Sequence, residues 1–184
     1  MTTNYFNDSQ NQYQSMEKTT LKLIGNFQKS VAFKQLGYCE QQFSEDIIAK
    51  FAEYMFDYHF QNVVEWETIA LQDVLVTRFP ENISAPNYFF NCVESVLTSF
   101  FLYVYESGQL PQGVVLADSL PTLCKLMLDV VATKLELTKE NQLFALADEL
   151  AIDTDNLSDI EKLYMFVEHF RQQEIATDSL LKTS

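Results

Sequence analysis

The sequence predicts an all-α fold, a single-domain bundle of about seven helices, and three observations carry that prediction. Helix breakers are few: 4 Gly and 4 Pro stand among 184 residues, of which 47% are hydrophobic and 14% aromatic. That composition fits neither a disordered chain nor a turn-rich β-sandwich. Apolar residues recur at helical spacing, most regularly at Phe89, Phe90, Val93, Val96, Leu97, Phe100, Phe101 and Val104. This helix also has its own punctuation: Phe79-Pro80 ends the helix before it, Ser84-Ala85-Pro86 opens it, and Gly108 stops it. From Phe100 to Tyr105 it is apolar or aromatic nearly all round, so the helix over 86–106 is expected at the centre.

The other elements follow in order. Residues 1–14, rich in Asn, Gln, Ser and Thr, read as a disordered tail. A first helix is expected from near Ser15 to Leu36, with Leu21, Ile24, Phe27 and Val31 on one side and Gly37 as its stop. Lys18, Lys22 and Lys29 fall on the opposite side, as a solvated face or a docking strip for an acidic partner. Ser44 caps a second helix whose buried stripe is Ile48, Phe51, Ala52, Met55, Phe56 and Phe60, with His59 on or beside it. Trp66 precedes a third helix carrying Ile69, Leu71, Val74, Leu75 and Phe79; it either staples the loop before that helix or binds a ligand. After Gly108 comes a helical region broken or kinked at Pro121, whose second part, from Leu123 to Thr133, is nearly apolar. Thr138 and Ser158 are expected to cap two final helices, and residues 177–184 to fray. The helical domain thus spans 15–176.

Trp66, Asp73-Val74-Leu75, Phe79-Pro80, Ser84-Ala85, Phe89-Phe90, Val96-Leu97, Phe100 and Gly108-x-Leu110-Pro111 together resemble a helical domain of uncharacterised bacterial proteins, a type sometimes found beside cysteine-rich SEC-C motifs. The resemblance covers about residues 62–130 and rests on core and cap positions. It implies a fold and no activity. This chain has no such cysteine cluster, so the metal or partner chemistry of that motif is not implied for it.

Charge narrows the partners. The formal net charge is −14. Residues 1–35 set four lysines against Asp8 and Glu17, a net of +2, whereas residues 36–118 set Lys50 and Arg78 against twelve acids, a net of −10. The remainder, six bases against twelve acids, contributes −6. Such a field repels phosphate, so direct binding to nucleic acid or an anionic membrane is not expected, and a basic protein partner is. Cys39, Cys92 and Cys124 are odd in number and widely spaced, which argues against a disulfide framework or a cysteine zinc site. With no early basic cluster, no apolar leader and no run long enough to span a bilayer, the expected location is the cytoplasm.

Catalytic signatures are absent from the sequence: it holds no GxSxG, HExxH, GxxxxGK[ST] or GxGxxG. Gly25, Gly37, Gly108 and Gly113 are too scattered to build a phosphate cradle, and 2 histidines exclude a multi-histidine metal centre. A di-iron bundle fails because Phe56 and Phe166 stand three residues before His59 and His169. The calcium-like run 153–159 fails at Leu157, at the missing glycine and at Tyr164. Asp57, His59 and Glu65 are the one acid–base group close in sequence, and no nucleophile accompanies them. No cofactor is expected. The expectation is therefore a bacterial cytoplasmic protein-interaction or regulatory module. Its alternatives are an acidic mimic of nucleic acid, a small-ligand sensor enclosed by aromatic helices, and a small hydrolase using Asp57, His59 and Glu65. Lys18, Lys22, Lys29 and Trp66 are the candidate interaction residues.

Overall fold

A computed structural model of the chain describes residues 3–149 together with Lys162 and Met165, and among the described residues it is all-helical, with no strand. The helices are α1 (Thr3–Phe27), α2 (Val31–Lys34), α3 (Tyr38–His59), α4 (Thr68–Asp73), α5 (Phe79–Asn82), α6 (Asn87–Glu106) and α7 (Gly113–Glu149). A 3₁₀ turn, Val63–Glu65, precedes α4, and a π turn, Val74–Arg78, joins α4 to α5. The chain divides into two compact units, Met1–Val131 and Ala132–Ser184. The expected domain over 15–176 runs across both and into residues outside those described.

In the first unit α6 lies against α3, α1 and α2, as its apolar wheel predicts. Val93, Val96, Leu97, Phe100, Phe101 and Val104 lose all solvent exposure. Aromatic rings fill the space between these helices edge to face or tilted: Phe27 meets Phe100 at 5.4 Å between centroids, and Phe51 meets Phe101 at 5.5 Å. Each such fully buried side chain is worth roughly 1.5–3 kcal/mol of transfer free energy. Gly113 stands where α7 begins against α6, and a Cβ there would come within 2.6 Å of the Phe101 carbonyl oxygen. Gly108 turns the chain between the two helices with φ at +75°, open to glycine at little cost.

Several boundaries differ from those the sequence predicts. The first helix starts at Thr3, taking in residues read as a tail, and Tyr13 packs its ring edge on Phe56 at 5.9 Å. It also stops at Phe27, because Ser30 opens α2 by accepting the Phe33 N–H at 3.1 Å. The buried stripe of α1 is Met16, Thr20, Leu23, Ile24 and Phe27, so the predicted Leu21 faces solvent, and Val31, which begins α2 instead, is exposed as well. Gly37 does more than end a helix: it is the N-cap of α3, its N–H donated to the Glu40 carboxylate. Ser44, expected as that cap, is buried and returns its hydroxyl to the Gln41 carbonyl at 2.9 Å.

Proline is tolerated twice where a stop or break is expected. Across Pro80 the chain widens into the π turn, in which the Phe79 N–H donates to the Val74 carbonyl, five residues back. A continuous α ladder would have set the Pro80 ring against the Val76 carbonyl. α7 continues through Pro121 to Glu149, and Thr138, expected as a cap, instead bonds its hydroxyl back to the Lys134 carbonyl at 2.8 Å. The helix expected at Ser158, the calcium-like run 153–159 and the tail 177–184 lie outside the described residues.

Helix α3 ends in an αL cap: the Phe60 N–H donates to the Phe56 carbonyl at 2.8 Å, four residues back, and the Gln61 N–H donates to the Met55 carbonyl at 3.2 Å. This requires left-handed backbone at Phe60, with φ 55° and ψ 29°. Among the described residues it is the one non-glycine with positive φ. An L-residue there costs about 1–2 kcal/mol, which is why glycine usually takes the position.

Candidate functional site

The acid–base group suggested by the sequence does not assemble. Glu65 is committed to the turn beside it, accepting from the Asn62 N–H at 3.0 Å and from its side-chain amide at 3.2 Å. Asp57 is exposed on α3; partial burial, and then the charge of Glu53, push its carboxyl above the ordinary range. His59 bonds elsewhere. Its Nε2 lies 3.0 Å from Oδ2 of Asp73, at the end of α4, a partner fourteen residues away.

The π turn completes this small polar cluster. It places Arg78 so that Nε donates to the same Asp73 oxygen at 3.1 Å, while its guanidinium stacks 4.2 Å from the Tyr58 ring centroid. Burial alone would raise the Asp73 pKa, but hydrogen bonds from Arg78 and His59 outweigh it and hold the carboxyl below its ordinary range. An imidazole oriented by a carboxylate is the base half of a nucleophilic dyad. Here the carboxylate also serves an arginine, and among the described residues neither His59 nor Asp73 bonds a Ser, Thr or Cys. The cluster cross-links α3 to the α4–α5 segment. Among the described residues no group of His, Cys, Asp and Glu could hold a metal ion.

The candidate interaction residues divide. Lys18 and Lys22 are exposed and line a shallow groove of about 360 Å³ with Asn26 and Gln109; Lys29, also exposed, lies outside its lining. Trp66 is not on the surface: it is 1% exposed, its ring 4.9 Å from that of Phe51 and 5.9 Å from that of Phe101. It anchors the loop from within, and its buried Nε1 has no hydrogen-bond partner among the described residues.

A different surface gathers around that anchor. An open groove of about 540 Å³ is lined by Val64, Glu65, Glu67, Ile69, Gln112 and Leu116, among others. Ile69 is 81% exposed and Val64 61% exposed, and Phe60, just upstream, is 78% exposed. The helical stripes predicted from the sequence place Phe60 and Ile69 in the core. Phe60 escapes because left-handed backbone takes it off the α3 wheel, and Ile69 because α4 buries Ala70 and Leu71 instead. The frame is fixed by Gln112, whose side-chain amide donates to the carbonyls of Val64 at 3.1 Å and Trp66 at 2.7 Å.

Comparison with protein-family models, curated proteins and solved structures found no match to this chain.

Proposed function

We propose that the protein is a non-enzymatic interaction or regulatory module that binds a basic protein partner on the face running from Phe60 to Ile69. One observation carries this reading: large apolar side chains at 60, 64 and 69 stand in solvent, interleaved with the exposed acids Glu65 and Glu67, on a loop pinned by buried Trp66 and by Gln112. An apolar centre with a charged rim is the make-up of a protein-binding patch. The interior supports the same reading over an enclosed ligand sensor, since its aromatic rings pack on one another and both grooves described above open to solvent.

Among the described residues no helix is long and apolar enough to cross a membrane. A cytoplasmic, bacterial setting belongs to the proposal and is supported by the cysteine spacing, the charge and the family resemblance over residues 62–130. The test compares immobilised wild-type chain with a Val64→Ser, Ile69→Ser double variant in capture from bacterial lysate, followed by reconstitution with the purified partner. Retention of a basic protein by the wild type, its loss on the variant and salt-sensitive rebinding support the reading. Equal retention by both chains overturns it.

A further inference from the structure

Phe60 is unfavourable for folding on two counts. It occupies a left-handed position where glycine or asparagine would sit with less strain, and it holds a large ring 78% in water. Among the described residues its one ring contact is edge to face with Phe56, at 6.5 Å between centroids. The capping bonds need only backbone N–H groups, so a residue without a ring that accepts left-handed backbone could close α3 equally well. A residue kept against both costs points to a use outside the folded chain.

The surroundings say what that use is. Residues 36–118 contain two cations, and both are engaged by neighbours: Lys50 with Glu53 at 2.7 Å, and Arg78 with Asp73 at 3.1 Å. Asp57, one helical turn before Phe60, and Glu65 and Glu67 after it are exposed, and among the described residues none has a cation within salt-bridge distance. An exposed aromatic ring beside unneutralised carboxylates complements a segment that offers an apolar side chain flanked by lysine or arginine. An anionic membrane surface would be repelled by the same acids.

Resting on the interaction reading above, we infer that Phe60 is the anchor by which this face holds a cationic amphipathic segment of another protein. At the end of α3 the left-handed backbone leaves most of the ring in water, and the carboxylates of Asp57, Glu65 and Glu67 select the charge of what lands on it.

The probe is a synthetic amphipathic helix with leucines on one face and lysines on the other. It is compared with its glutamate-for-lysine counterpart and with neutral phosphatidylcholine vesicles. Phe60→Gly and Phe60→Asn both accept left-handed backbone, so both are expected to unfold at the wild-type midpoint or above it while binding the lysine peptide about tenfold or more weakly. Wild-type affinity in either variant overturns the inference, as does a lowered midpoint in Phe60→Gly, which would make the ring a folding contact. Phe60-dependent binding to the vesicles also overturns it. If the Phe60 variants bind normally while Val64→Ser, Ile69→Ser does not, this inference fails and the interaction reading stands. If the wild type ignores the lysine peptide, or binds the glutamate peptide equally well, both fail.

Discussion

The side-chain amide of Gln112 donates to the Trp66 carbonyl at 2.7 Å, tying the turn before α7 to the loop before α4 across forty-six residues of sequence. A second bond from the same nitrogen reaches the Val64 carbonyl at 3.1 Å, so one side chain satisfies two loop carbonyls. Replacing it with Ala should lower stability by about 1–2 kcal/mol, the net worth of a pair of partly exposed hydrogen bonds. Urea melts measure the loss, and no change in midpoint would show the clamp to be idle.

Phe100 sits at 0% exposure, its ring in contact with those of Phe27, Trp66 and Phe101. Phe100→Ala should cost about 3–5 kcal/mol through lost burial and the cavity left behind. A loss below about 1 kcal/mol in denaturant melts would contradict the central place of α6.

Asp73 gives stability an acid dependence. Its folded carboxyl is held below the range it has in the unfolded chain, so its contribution is fully present above that unfolded range and disappears as pH falls through the folded value. Asp57 acts in the opposite sense: its pKa is raised, so its contribution is present in acid and lost as pH rises through the raised value. Asp73→Asn should therefore flatten the acid limb of a stability–pH curve, whereas Asp57→Asn should steepen it. Unfolding midpoints recorded across the acid range distinguish the two, and identical curves for both variants would refute the assignment.

The three thiols should react unequally. Cys39 is exposed, whereas Cys92 and Cys124 are buried, and burial pushes the Cys92 thiol upward and that of Cys124 up to about 12. A thiol-specific chromophoric disulfide should label one cysteine rapidly in the native protein and the other two only on unfolding. Fast labelling at Cys92 or Cys124, located by peptide mapping, would contradict the packing of α6 and α7.

Helix content and the burial of one face of α6 could be read from the chain because a 3.6-residue period and a wide apolar face are local properties, indifferent to which neighbour covers them. The charge imbalance and the lack of a catalytic motif were equally open to inspection. Facing and pairing were not, because both depend on what lies across space. Ser44 has the residue type of a cap, yet it lies inside α3 and returns its hydroxyl to the Gln41 carbonyl, while Gly37 opens that helix with the help of Glu40. His59 takes its carboxylate from Asp73 rather than nearby Asp57, because the loop between α3 and α4 returns the chain and the π turn ahead of Pro80 aims Arg78 at the same oxygen. Phe60 and Ile69 match core stripes by spacing, yet one left-handed residue and one short helix turn them outward. Periodicity says that a side chain is apolar at a given angle; whether another helix occupies that angle is decided by tertiary packing, and at Phe60 and Ile69 solvent occupies it instead.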